Sequence, residues 1–246
     1  MTDVAIIGGT GLALLSGLKI VRREVVHTPF RELSGPVIYG EFKGHEVLFL
    51  ARHGYTHRIP PHKVNYRANI WAMKHLGVSK VIAVNVVGGI TAEMHPERLV
   101  IPEQIIDYTH SRRHTFFEDD LEQVTHVDFT HPYSQSLRKI LLKAATRANL
   151  DVVDGGVYAC TQGPRLESTA EVIRLERDGC DVVGMTGMPE AALARELDLD
   201  YASVCLVANW AAGKGKGVIK MDKIDACVEQ GMSQVKELLE VTLDKL

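Results

Sequence analysis

Short apolar, β-branched runs alternate along the chain with stretches whose apolar residues recur at helical spacing. Val4–Ile7, Glu46–Ala51, Val81–Val84, Gly156–Ala159, Asp181–Gly184 and Ser203–Val207 are predicted strands. Several are continuously apolar, the pattern of strands covered on both faces. Asn65–His75 and Pro189–Glu196 have helical composition, and Lys223–Leu243 forms a long amphipathic pattern. Strand alternating with helix predicts an α/β fold with a mainly parallel or mixed sheet. No linker, repeat or low-complexity stretch interrupts it, so residues 1–246 are expected to form a single domain. Tyr108–Tyr133, rich in His, Arg and aromatic residues, fits neither pattern and is expected to be a long functional loop.

Composition narrows the class. The 246 residues are 46% hydrophobic, enough to bury a core, and 28 Lys+Arg against 31 Asp+Glu leave a net charge of −3. That balance, with no basic arm, argues against a nucleic-acid partner. No run of about 18 apolar residues predicts a membrane span, and the N-terminus lacks the basic start of a signal peptide. Cys160, Cys180, Cys205 and Cys227 are widely spaced and form no C-x-x-C pair, so reduced thiols in a cytoplasmic protein are expected.

The residues just beyond each strand carry the chemistry. Val4–Ile7 leads into Gly8-Gly9-Thr10-Gly11, Glu46–Ala51 into Arg52-His53-Gly54, and Val81–Val84 into Asn85 and Gly88-Gly89. Later strands lead into Gly163-Pro164-Arg165-Leu166-Glu167, Met185-Thr186 and Asn209-Trp210. In open α/β sheets ligands bind beyond the carboxyl ends of strands, so six segments are expected to deliver polar groups to one crevice.

Gly8–Gly11 reads as an anion cradle, with Thr10 adding a hydroxyl, or as a plain tight turn. A dinucleotide site is the weakest reading, because Leu14 stands where G-x-G-x-x-G needs glycine. Arg52-His53, a planar fork and a second donor, suits a phosphate dianion, the alternative being a solvated arginine and a hydrogen-bonded loop histidine. A metal held by His53, His57 and His62 has no accompanying carboxylate or cysteine in its favour. No G-x-S-x-G elbow, Walker A loop or electropositive cysteine supplies a nucleophile, which suggests that phosphate itself attacks.

Five segments together resemble the trimeric purine nucleoside phosphorylases and, more closely, their methylthioadenosine phosphorylase branch. They are Gly8–Gly11, Leu50–Gly54, Val64–Asn69, Gly163–Arg165 and Gly184–Glu190, and the likeness runs in order over nearly the whole chain. Within that group the chain is most similar to the bacterial 5′-methylthioinosine phosphorylases. The resemblance implies a mixed sheet curling toward a barrel, flanked by helices, in a homotrimer. It implies phosphorolysis of a nucleoside without metal or organic cofactor, inorganic phosphate being the co-substrate. By the family motifs Thr10, Arg52, His53 and Thr186, with Asn85 and Val86, hold phosphate. Met185 lies against the ribose, and Leu166, Trp210 and Ala211 belong to the substrate pocket. Asn209, Arg52, His53 and Thr186 carry the reaction, and His126 reaches into a neighbouring subunit's site.

Departures from the adenosine-type pattern bear on the substrate. Methylthioadenosine phosphorylases carry Asp-x-Asp where this chain has Asn209-Trp210-Ala211. An amide can donate to a 6-oxo group, and Glu167 stands where 6-oxopurine enzymes accept from N1–H. Met221 takes the place of the histidine that marks a 5′-hydroxyl site, which suits a 5′-methylthio group. As plain structural residues, Asn209 would be a strand-end turn, Glu167 a helix-start carboxylate and Met221 a helix-packing side chain. The expected reaction is 5′-methylthioinosine plus phosphate giving hypoxanthine and 5-methylthioribose 1-phosphate, a purine salvage step. Methylthioadenosine phosphorylase, inosine/guanosine phosphorylase and a non-catalytic nucleotide-binding subunit are the rival readings.

Overall fold

The computed structural model describes residues 2–12, 15–118 and 123–246. The strands are β1 (Val4–Gly8), β2 (Leu18–Glu24), β3 (Val37–Phe42), β4 (His45–Ala51), β5 (Lys80–Gly89), β6 (Leu99–Ile101), β7 (Gln104–Asp107), β8 (Val152–Asp154), β9 (Val157–Cys160), β10 (Val182–Gly184) and β11 (Asp200–Trp210). The helices are α1 (Tyr66–His75), α2 (Gln135–Arg147), α3 (Thr169–Arg177), α4 (Glu190–Glu196) and α5 (Met221–Leu243).

All these strands join one mixed sheet. Its main path is β2-β3-β4-β1-β5-β10-β9-β7, while β11, also paired with β5, leads off to β6 and β8. One edge of β5 runs beside β11 over its whole length. The other edge meets β1 from Lys80 to Ala83 and β10 at Gly88 and Gly89. Between them, residues 84–87 have no strand neighbour on that edge among the described residues. The fork in the sheet is therefore also an opening in it.

The continuous apolar runs are explained by cover on both faces. Val4, Ile6, Ile82, Val84, Val204 and Leu206 pack with α2 and α5 in one cluster. The alternate residues Ala5, Ile7, Val81, Ala83, Cys205 and Val207 pack with α1 and α4 in the other. Each fully buried aliphatic side chain contributes about 1.5–3 kcal/mol, so a strand with no polar face is held from two sides. A smaller cluster seats Val172 and Leu175 of α3 on Ala159, Val183 and Ala211.

The structure extends two predicted strands. β5 and β11 pair through ten matched positions, so Asn85 and Asn209 lie inside the ladder rather than in loops after it. A register shift between Val207 and Asn209 re-aims the end of β11. Residues 108–118 and 123–134 contain no helix or strand, as expected of the long loop. Its residues 119–122, and Leu14, lie outside the described residues.

Candidate active site

The strand-end segments converge on one cavity of about 520 Å³. Thr10, Arg52, His53, Asn85, Val86, Met185, Thr186, Leu166, Glu167, Asn209, Ala211 and Met221 all line it. Its inner end lies over the opening beside β5, and its outer end is bounded by Leu166, Glu167, Asn209 and Met221.

At the inner end the Gly8–Gly11 turn is set by close approach. A Cβ on Gly9 would come within 2.9 Å of Arg52 Nη1 and 2.8 Å of the Val84 carbonyl, and Gly11 adopts φ +78°. Among the described residues the next element after this turn is β2 and not a helix, which is not the βαβ arrangement of a dinucleotide site.

Arg52 is fully buried. Its Nε and Nη2 donate to the two carboxylate oxygens of Glu190 at 2.8 and 2.7 Å, and Nη1 donates to the Val84 carbonyl at 3.1 Å. Burial opposes its charge, but the Glu190 carboxylate holds the guanidinium protonated above its ordinary range. The fork expected to face an anion is thus committed to Glu190. Of the five N–H groups, one on Nη1 and one on Nη2 remain. Glu190, the first residue of α4, also accepts from the Tyr201 hydroxyl at 2.9 Å. Sequence reasoning gave Glu190 no role of its own; its signals were its place at the end of the Gly184–Glu190 segment and an acidic side chain at the start of a helix.

His53 differs from expectation in its proton. Nδ1 lies 2.7 Å from the Ile59 carbonyl, an acceptor only, so Nδ1 carries the hydrogen. Burial, with the Arg52 charge beside it, pushes the imidazole down to about 4. Near neutral pH His53 therefore presents Nε2 as an acceptor, not the donor that the sequence suggested. Its ring packs 4.7 Å from that of His57. His62 lines a different cavity, and among the described residues no three His, Cys, Asp or Glu side chains group as metal ligands.

A buried relay fixes Thr186. Ser203 Oγ donates to Asn85 Oδ1 at 2.9 Å, and Asn85 Nδ2 donates to Thr186 Oγ1 at 2.8 Å. Thr186, its oxygen already accepting, has its own hydrogen left for the cavity. The Asn85 side chain is a link in this chain rather than a free ligand group. Val84 turns its carbonyl to the open edge of β5, and the two-residue alternation of a strand turns the Val86 amide the same way.

The outer end pairs an acceptor with an amide. Glu167 Oε1 accepts from Thr161 Oγ1 at 2.5 Å, leaving Oε2 for a ligand. Asn209 Nδ2 donates to the Trp210 carbonyl at 2.7 Å, leaving one N–H and Oδ1. A flipped amide would set two acceptor oxygens against each other, so this contact holds the orientation. Trp210 corrects an expectation. Asn209 and Ala211 line the cavity while the indole does not; it lies in an adjoining space of about 630 Å³, which Asn209 and Ala211 also border, and packs on Gly215. His126 is exposed and lies off its own chain's cavity wall. Asp225, unanticipated, lines the cavity next to Ile224.

Known proteins give this geometry its context. A protein of Pseudomonas syringae pv. tomato named "Probable S-methyl-5'-thioinosine phosphorylase" is 56% identical over 239 residues, covering 97% of each chain. The 6-oxopurine nucleoside phosphorylase of Pyrococcus furiosus is 44% identical over 245 residues, covering 97% of this chain and 91% of its own. The methylthioadenosine phosphorylase of Schistosoma mansoni, solved in complex with adenine, superposes with a TM-score of 0.93 at 30% identity, over 99% of this chain and 91% of that one. The model of the phosphorylase superfamily matches residues 3–244. With its strand-end cavity intact and nearly its whole length matched, the chain belongs to the phosphorylase superfamily.

Proposed function

We propose that this chain catalyses the phosphorolysis of 5′-methylthioinosine, giving hypoxanthine and 5-methylthioribose 1-phosphate. The observation that carries the base assignment is the Asn209 amide held by the Trp210 carbonyl opposite a half-free Glu167 carboxylate. A 6-oxopurine offers O6 as acceptor and N1–H as donor, and these two side chains are its complements. Adenine would set an unprotonated N1 against Glu167, and the Asn209 amide cannot turn without losing its backbone partner.

Hydrogen phosphate fits the inner end with its own proton in use. Its O–H donates to His53 Nε2, while its other oxygens accept from Thr10, the Thr186 hydroxyl, the Val86 amide and the remaining Arg52 N–H groups. Held beside C1′ of the sugar, the anion stabilises the oxocarbenium-like centre as the N-glycosidic bond breaks, and then forms the new C–O bond. Met185 bounds the ribose. The departing purine takes up negative charge beside the Asn209 amide, and in the net reaction the proton of hydrogen phosphate goes to the base. Neither half of this scheme calls on a metal or organic cofactor.

At the 5′ end Ile219, Met221 and Ile224 supply an apolar wall for a methylthio group. Asp225 beside them favours a second reading, in which a 5′-hydroxyl is accepted and inosine is also a substrate. We infer a homotrimer as the active unit. Val124 and Val127, 73% and 40% exposed on either side of His126, support contact of that segment with another copy. Buried thiols at all four cysteines support a cytoplasmic setting.

A panel of methylthioinosine, methylthioadenosine, inosine and adenosine, each with and without phosphate, tests the reading. Base release should require phosphate, and kcat/KM for methylthioinosine should exceed that for methylthioadenosine by about a hundredfold, with Glu167→Gln shrinking the ratio. Equal release without phosphate, or equal rates on the two bases, overturns it.

A further inference from the structure

Arg112 opens no obvious chemistry of its own, yet it is the most heavily engaged side chain near the cavity. It lies in the long loop between β7 and α2 and is only 7% exposed. Nη1 donates to the carbonyls of Met188 at 2.6 Å and Met185 at 2.9 Å, and lies 3.3 Å from the Tyr66 hydroxyl. Nη2 donates to the carbonyls of Gln162 at 2.8 Å and Thr161 at 3.2 Å, and Nε donates to Gln162 Oε1 at 3.1 Å.

Each partner leads to a different wall. Met185 lines the cavity directly. Met188 lies two residues before Glu190, which clamps Arg52. Thr161 holds the Glu167 carboxylate through its hydroxyl. Tyr66 donates in turn to the carbonyl of Pro61, another residue of the cavity wall. These segments are far apart in sequence and belong to different strand ends. One planar guanidinium, with its donors in a rigid fork, is suited to fix several carbonyls at set angles, and a lysine ammonium is not.

We propose that Arg112 is a positioning residue that sets the inner and outer ends of the cavity in register, so that phosphate and base are held at the right separation for bond exchange. Misplacement by about 1 Å in such a frame can cost on the order of a hundredfold in rate. The part of this proposal that concerns base discrimination rests on the assignment of Glu167 to the base. The part that concerns register does not.

The test uses the full-length chain carrying Arg112→Gln or Arg112→Lys, with circular dichroism and thermal unfolding to establish folding. Steady-state kinetics then give kcat and KM for methylthioinosine, methylthioadenosine and phosphate, with and without millimolar guanidinium ion. Arg112→Gln should raise both substrate KM values and lower kcat/KM by about a hundredfold, shrink the preference for the 6-oxo base at least about tenfold, and recover in part with added guanidinium. Arg112→Lys should keep the fold and restore little. Kinetic constants and base preference unchanged in folded Arg112→Gln, or a fall in kcat that only matches the unfolded fraction and is not rescued by guanidinium, overturns the proposal. If Arg112→Gln does not fold, the same readouts on Arg112→Lys decide the matter. Wild-type protein that fails to distinguish the two bases removes the Glu167 assignment instead, and leaves Arg112 to be judged by the phosphate KM and by rescue.

Discussion

At the inner end of the cavity Arg52, His53, Asn85 and Thr186 are 0%, 7%, 1% and 7% exposed, and each is held by another buried group or a backbone carbonyl. At the outer end Leu166 and Met221 are 41% and 61% exposed, and Glu167 follows an irregular loop. The inner end is continuous with the core. Its polar groups sit among β1, β4, β5 and α4, where an unpartnered donor would cost about 1–3 kcal/mol. The outer end is built from the last residues of β11, a loop and the first turn of α5, and at Leu166 and Met221 a substitution disturbs little besides the ligand. On the proposed reading the common chemical step falls where change is costly, and the choice of substrate where change is cheap.

The largest expected effect breaks the inner end at its centre. Glu190→Ala leaves the Arg52 guanidinium buried without its carboxylate, which should destabilise the fold by about 3–5 kcal/mol. Arg52→Ala should cost about 3 kcal/mol or more in kcat/KM. Denaturant unfolding and steady-state assays measure the two. A fall under about 1 kcal/mol in both would remove the contrast between the ends, since surface ion pairs are worth that much.

A smaller effect sharpens the contrast through pH. His53 is held down to about 4 in the fold against an ordinary 6.5. In that window the unfolded chain takes the proton first, so stability is lost as pH falls from about 6.5 toward about 4. The loss should amount to about 1–3 kcal/mol, and His53→Asn should flatten it. Unfolding curves at several pH values, wild type against variant, provide the check.

The smallest effect belongs to the outer end. Met221→Ala should lower the preference for methylthioinosine over inosine by about 1 kcal/mol, the low end for an apolar group in a matching pocket because the side chain is half open to water. Its melting temperature should stay near that of wild type. A large drop in stability would place Met221 in the core rather than at a substrate wall.

Periodicity and turn chemistry are local, and they made the continuous apolar strands, the helix at Pro189–Glu196 and the closing helix legible. The order of the polar segments after those strands was legible too, which is why one crevice could be expected. Other elements left weaker traces. β2 is an edge strand of mixed charge and mostly exposed side chains, so neither alternation nor an apolar run marks it. α2 and α3 carry start signals in Ser134 and the Ser168–Glu171 capping box, with Leu137, Leu141 and Ala144, and Val172 and Leu175, at helical spacing, but these stretches are short and were not anticipated.

What sequence alone determined was most of the residues that reach the cavity, with Trp210 and Asp225 as exceptions. What only the tertiary structure decided was the use each makes of its atoms. Glu190 takes the Arg52 fork, Ile59 assigns the proton of His53, the Ser203–Asn85 relay aims the Thr186 hydroxyl, and Arg112 ties loops separated by tens of residues. The Trp210 indole lies outside the cavity while its carbonyl holds Asn209. Hydrogen bonds of this kind form between segments distant in sequence, and their direction depends on angles and burial that arise only when the strands are packed.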